Sequence, residues 1–249
     1  MSETIADELT RIDQAFAGNR LLATFPVESR ALVEPYGTIV DLKVGQVVHE
    51  CGADIEASFF PFDKAMVSLV VDLEGKRSLE VASIGDEGAV GGIVSCGRAP
   101  AFARAQVLHE GSALRVPMTA LEDAKMRSGH LRNLFCRFSD FLLAQLMQSV
   151  ACNTFHSIEQ RAARWLLTAS DRAAGPIELT QEGFAGLLGV QRTTVNAVIR
   201  VLQDEGLVST RRGLIEILDR PGLMRRTCEC YAAIERHFVA AIGPSGTGG

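Results

Sequence analysis

The apolar residues of this chain change their spacing near Pro117, and that change limits the folds open to it. Between about Ile39 and Val116 they come in short β-rich runs: "TIVDLKV", "QVVHE", "MVSLVVDL", "SLEVASI", "ARAQVLH" and "SALRVP". Gly45, Gly52, Gly75, Gly85, Gly97 and Gly111 break the sequence between them. Closely spaced strands with turn residues between them predict an antiparallel barrel or sandwich. From Met118 onward the spacing is helical. A chain that keeps strands and helices apart in this way is α+β. Over residues 1–22, Ile5, Leu9, Ile12 and Phe16 predict a short helix ahead of the strands.

Past the switch, Leu131, Leu134, Phe138, Leu142, Gln145, Ser149 and Asn153 recur at intervals of three and four. That predicts a long helix with an apolar seam, as in a coiled-coil dimer. The alternative is a helix packed on its own domain. Sparse charge on much of both faces favours two burial partners. "SDRAAGP" at 170–176 ends a helix, and the tail "GPSGTGG" is predicted to be disordered. The expected division is 1–125, a β-rich domain; 126–160, a dimerisation helix; and 161–249, a C-terminal domain.

The C-terminal part contains "QRTTVNAVIRVLQDEGL", residues 191–207. Val195, Val198, Ile199 and Leu202 form one apolar face of a helix, with Gly206 as a C-terminal cap. Its other face shows Arg192, Thr193, Asn196 and Arg200. Upstream, Thr180 caps a short helix carrying Phe184, Leu187 and Leu188, and Gly189 allows a tight turn. Downstream, "LVST" and "LIEIL" read as two strands joined by Arg211-Arg212-Gly213. Helix, turn, helix and an Arg-tipped hairpin make a winged helix-turn-helix. The second helix of such a unit enters the major groove with its N-terminal residues at the base edges. Arg bonds guanine, Asn bonds adenine and the Thr methyl touches thymine. Gln191, Arg192, Thr193 and Asn196 are therefore candidate base contacts. Thr180, Gln181, Arg200, Arg211 and Arg212 are candidate contacts to the DNA backbone.

Charge agrees with this placement. Residues 1–160 are net acidic, whereas 161–249 carry 11 basic against 9 acidic side chains, every basic one Arg. The overall net charge of −5 argues against a protein that coats DNA generally. No charged segment followed by an apolar run opens the chain, and the least charged stretch, 138–155, is too polar to span a membrane. A cytoplasmic protein with no membrane partner is expected, its six cysteines reduced. Cys228-Glu229-Cys230 invites a metal reading. On a helix, however, residues i and i+2 face different ways, and no second cysteine pair of the CxxC kind is present. No metal or cofactor is expected. The five histidines are isolated, "GDEGAVGG" lacks the spacing of a phosphate loop, and no catalytic triad or carboxylate pair follows from spacing, so no enzyme is expected.

Over nearly its whole length the chain resembles the Crp/Fnr family of bacterial transcription regulators. "EQRAARWLLTASDR", "LTQEGFAGLLGV", "RRGLIEILDRPGL" and "CECY" resemble a proteobacterial subfamily. "LKVGQVVHECGADIEASFFPFDKAMVSLVV" with "GDEGAVGG" keeps the glycine pattern of a cyclic-nucleotide-binding β-roll. The resemblance implies a homodimer that reads a two-fold symmetric site on double-stranded DNA, with RNA polymerase as a candidate partner. In cyclic-AMP-responsive members a Gly-Glu pair binds the ribose and an Arg-Ser pair the cyclic phosphate. Here Ala89-Val90 and Ala99-Pro100 stand at those pairs. Arg98 is one position off, and strand alternation turns Arg104 away. A buried phosphate without a cationic partner is costly. The candidate effector pocket (Ala89, Val90, Arg98, Ala99, Pro100) is therefore not expected to serve simple cyclic-AMP control, and the effector stays unknown. The first 50 residues lack the cysteines of the oxygen-sensing branch, so no iron–sulfur cluster is expected. Two alternatives stay open: a ligand-binding module acting through protein contacts without DNA, and a DNA-binding regulator that needs no ligand.

Overall fold

The computed structural model describes residues 2–74, 77–92, 99–172 and 175–243, with 2–7 and 77 described by backbone only. Gly75, Cys96, Gly97, Arg98 and most of the tail lie outside the described residues. Helix α1 (Ser2–Gly18) turns Ile12, Ala15 and Phe16 inward. The short α2 (Val27–Val33) follows.

Two antiparallel sheets come next. One has the order β1 (Thr38–Leu42), β7 (Gly111–Pro117), β3 (Ala57–Phe62). The other runs β2 (Val47–His49), β6 (Arg104–His109), β4 (Met66–Leu73), β5 (Arg77–Ile84). Registers such as Leu42↔Gly111 and Val67↔Ile84 bring Leu42, Val67, Ile84 and Val107 into a shared core. Strand β3 has no counterpart among the expected runs. Pro61 cannot donate to a ladder, and almost every residue of β3 is buried, so neither propensity nor alternation marks it. It lies at a sheet edge, where a missing N–H costs least.

The helical stretch beginning at Met118 is broken in two. Helix α3 (Met118–Arg127) stops at Ser128, whose hydroxyl accepts from the Leu131 amide at 3.2 Å and caps α4 (Gly129–Phe155). The seam expected to meet a second chain packs mostly inside this one. Leu131, Leu134 and Phe138 are fully buried in the N-terminal core with Phe60 and Leu121. Gln145 is buried too, donating to the Ser83 carbonyl at 3.2 Å. Leu142 and Ser149 are half-buried, and Asn153 is exposed. A partner helix cannot reach Leu131, Leu134 or Phe138 without displacing that core. The large apolar residues that α4 leaves on the surface are Leu143, Leu146, Met147, Val150 and, at its end, Phe155.

Helix α5 (Ile158–Arg172) opens the C-terminal part. There follow β8 (Ile177–Glu178), α6 (Gln181–Leu188), α7 (Arg192–Asp204), β9 (Val208–Arg211), β10 (Leu214–Ile217) and α8 (Arg220–Arg226). A second core fills this unit, built on Leu166, Phe184, Val195, Ile199, Leu202 and Ile215. The last helix, α9 (Cys230–Ile242), does not stay with it. Its Phe238 meets Phe141 edge-on at 5.1 Å and joins the N-terminal core with Ile242.

Polar side chains also join the two units. Trp165 of α5 donates its indole N–H to Glu80 of β5 at 2.7 Å. Arg172 forms a buried ion pair with Glu87 and donates to the Ser83 hydroxyl at 2.7 Å. Burial pushes the Glu80 carboxyl above the usual carboxylate range.

Candidate nucleic-acid interface

Helix α6 begins at Thr180, whose hydroxyl accepts from the Gly183 amide at 3.0 Å. It ends at Gly189, where φ is +66° and the Val190 amide returns to the Ala185 carbonyl at 3.0 Å. That left-handed turn swings the chain into α7. Helix α7 buries Val195, Val198, Ile199 and Leu202. The opposite face is open: Gln191, Arg192, Thr193, Asn196 and Arg200 are all exposed. Gln191 precedes the helix with no side-chain cap, and the Arg192 guanidinium lies 4.0 Å from the Glu182 carboxylate, both ends largely in solvent.

The hairpin of β9 and β10 turns at Arg212-Gly213, both at positive φ, as a tight two-strand turn requires. Strand β8, too short to read from sequence, completes a three-stranded wing sheet on β10. Arg211 and Arg212 are exposed at its tip. Thr180 is exposed and Gln181 half-buried at the start of α6. One face of the C-terminal unit thus carries an Arg/Thr/Asn stripe flanked by an Arg-bearing wing.

Residues 160–226 match the model of the Crp-like helix-turn-helix domain, a span running from α5 through α8. Residues 160–226 are thus a Crp-like helix-turn-helix domain. The fold of the chain is similar to that of FixK2 from Bradyrhizobium japonicum, with a TM-score of 0.65, 17% identity, and coverage of 77% of this chain and 98% of that one. It is similar to a Crp/Fnr-family regulator from Eubacterium rectale, with a TM-score of 0.64, 18% identity and 82% and 96% coverage. It also resembles CLP of Xanthomonas campestris, a c-di-GMP responsive global regulator, at a TM-score of 0.61, 14% identity and 77% and 98% coverage. No curated protein matches the sequence. No helix among the described residues is long and apolar enough to cross a membrane.

The expected effector residues are placed unevenly. Ala89 and Val90 are fully buried, and Val90 exchanges two backbone bonds of 2.8 Å with Phe59. Ala99 and Pro100 are exposed, Pro100 bridging to Asp54. Arg104 is held by Asp72 at 3.1 Å, an ion pair that lowers the Asp72 carboxyl below its usual range.

Sequence reading misjudged the cysteines of the C-terminal part. Cys228 and Cys230 do not share a helix: Cys228 precedes α9 and Cys230 opens it, with a turn at Glu229 between them. The argument that positions i and i+2 diverge therefore does not apply. Both thiols are buried and converge on Cys152 of α4 and on His156, which follows that helix. The sequence separation of 76 residues between Cys152 and Cys228 hid that meeting. The Trp165–Glu80 and Arg172–Glu87 contacts were invisible for the same reason.

Proposed function

We propose that the chain works as a homodimer that reads a two-fold symmetric operator, its β-roll responding to a ligand other than cyclic AMP. The division of labour is 1–125 as sensor, 126–160 as dimerisation helix and 161–249 as the DNA-binding part with its C-terminal helix. Gln191, Arg192, Thr193 and Asn196 face bases. Thr180, Gln181, Arg200, Arg211 and Arg212 face phosphates. The observation that carries this reading is the open stripe on α7: its apolar side is buried and its polar side meets solvent beside an Arg-tipped wing. A helix built only for packing has no need of that stripe.

Dimer formation uses the outer face of α4, where Leu143, Leu146, Met147 and Val150 are exposed. Two copies of α7 related by the two-fold axis then reach successive major grooves about 34–36 Å apart. A ligand that favours one of two dimer arrangements shifts how those helices are aimed. The substitutions at Ala89-Val90 and Ala99-Pro100 support a ligand other than cyclic AMP. A thermal-shift panel of cyclic mono- and dinucleotides tests this, since a ligand bound by the folded state alone raises its stability. A flat panel leaves the roll as a dimer scaffold. The protein acts in the cytoplasm, with RNA polymerase as its further partner.

The decisive experiment is binding of the full chain to its own promoter at two salt concentrations. Phosphate neutralisation gives a steep salt slope. Arg192→Ala should lose about 1–3 kcal/mol on the native site and discriminate less at one base pair. Equal binding by wild type and variant, or a flat salt response, points instead to a module acting through protein contacts.

A further inference from the structure

We propose that Cys152, His156, Cys228 and Cys230 bind a single zinc ion where the long helix meets the DNA-binding unit. Cys152 lies in the last turn of α4, and His156 follows it as the extended C-terminal cap, its amide bonded to the Cys152 carbonyl at 3.1 Å. Cys228 lies in the link between α8 and α9, and Cys230 opens α9. The four ligand atoms all lie within 4.8 Å of one another.

The spacing matches a tetrahedral centre. With Zn–S near 2.3 Å and Zn–N near 2.0–2.1 Å, tetrahedral edges are about 3.8 Å between sulfurs and about 3.5 Å from sulfur to nitrogen. Cys152 Sγ and Cys228 Sγ are 3.7 Å apart, and Cys230 Sγ lies 3.4 Å from His156 Nδ1. Three thiolates and an imidazole form a soft donor set that suits zinc.

The surroundings point the same way. The other imidazole nitrogen, His156 Nε2, lies 3.3 Å from Glu229 Oε1. Such a carboxylate holds the proton on Nε2 and leaves Nδ1 free as a ligand. Gln148 donates to Cys230 Sγ at 3.0 Å. Three thiolates with one zinc carry a net negative charge. Arg161 and Arg164 act electrostatically on Cys152, and the Nε of each is buried with no acceptor among the described residues. A Cys152–Cys228 disulfide is the rival reading, but it would leave Cys230, His156 and Glu229 without a role.

Zinc there would tie the end of α4 to the link leaving the DNA-binding unit, whether or not DNA is bound. The test uses the full chain, purified under reductant without chelator. Elemental mass spectrometry should find one zinc per chain. Cobalt(II) in its place should give tetrahedral d–d bands with thiolate charge transfer, and zinc should displace it. Cys152→Ser and Cys228→Ser should each abolish these signals. Should they fail to fold, Glu229→Gln changes a carboxylate whose side chain is 76% exposed, so the fold should tolerate it. It should weaken zinc about 10–100-fold in competition with a chromophoric chelator. The proposal is overturned by a chain that takes up neither ion, by an octahedral cobalt spectrum, or by a Cys152–Cys228 disulfide persisting in reductant. It is equally overturned by zinc affinity unchanged in Glu229→Gln.

Discussion

Replacing Arg172 with Met should loosen the seam between the β-sheet part and the helix-turn-helix unit. Arg172 and Glu87 form an ion pair whose side chains are only 9% and 7% exposed. The guanidinium also donates to the Ser83 hydroxyl at 2.7 Å and to the Ser83 carbonyl at 3.3 Å. The substitution leaves the Glu87 carboxylate in the interior with the Gly85 amide, 3.0 Å away, but no cation. Removing one partner of a buried pair costs about 3–5 kcal/mol, because the remaining charge is uncompensated. With a urea m-value of about 3 kcal/mol/M, the midpoint should fall by about 1–1.7 M. Trp165, the chain's single tryptophan, sits on the same seam against Glu80, so its fluorescence reports the transition. Adding Glu87→Leu to Arg172→Met should recover most of the loss, since an apolar pair carries no desolvated charge. A midpoint shift of less than about 0.3 M for Arg172→Met, or no recovery in the double variant, would refute the reasoning.

Three further outcomes follow from the same geometry. Burial raises the Glu80 carboxyl, so the folded chain holds that proton more tightly than the unfolded one. The stability it contributes is full below the unfolded pKa and declines as pH rises through the raised folded value. Glu80→Gln should remove that decline, and melting curves of the two proteins that stay parallel with pH would contradict it. Val150, 67% exposed on α4, should tolerate Asp in the monomer but not in a dimer. A buried unpaired charge costs about 2 kcal/mol or more, about 30-fold in dimer affinity, and sedimentation velocity showing no dissociation would count against the outer face of α4 as the interface. At Gly189, φ is +66° and a Cβ would stand 2.8 Å from Leu79 Cδ1. Gly189→Ala should therefore cost about 1–2 kcal/mol, a melting temperature lower by about 2–8 °C, and an unchanged scan would show that the turn relaxes freely.

The helix-turn-helix was legible because everything that defines it is local. Thr180 caps α6, Gly189 turns the chain, and Val195, Val198, Ile199 and Leu202 fall within four turns of one helix. The strands with clean alternation were equally readable, whereas β3 was not, since burial on both faces and Pro61 erase the alternation. Helix α4 shows a subtler limit. Periodicity finds Leu131, Leu134 and Phe138 on one face, but it cannot say whether a second chain or the chain's own sheet covers them. Long-range meetings leave no local trace at all. Nothing in the spacing of Cys152 and Cys228, or of Glu80 and Trp165, foretells that they touch.

Four consecutive residues after β5 serve three different neighbours. Glu87 grips Arg172 in the DNA-binding unit. A side chain on Gly88 would collide with the Phe138 ring of the long helix. Ala89 packs among the residues around Phe138, and Val90 lies in the core between the sheets. The wall of the roll, the spine of the molecule and the base of the reading head are therefore successive stops on a single short piece of backbone. Whatever displaces that piece has no slack in which to do so unnoticed by the other two.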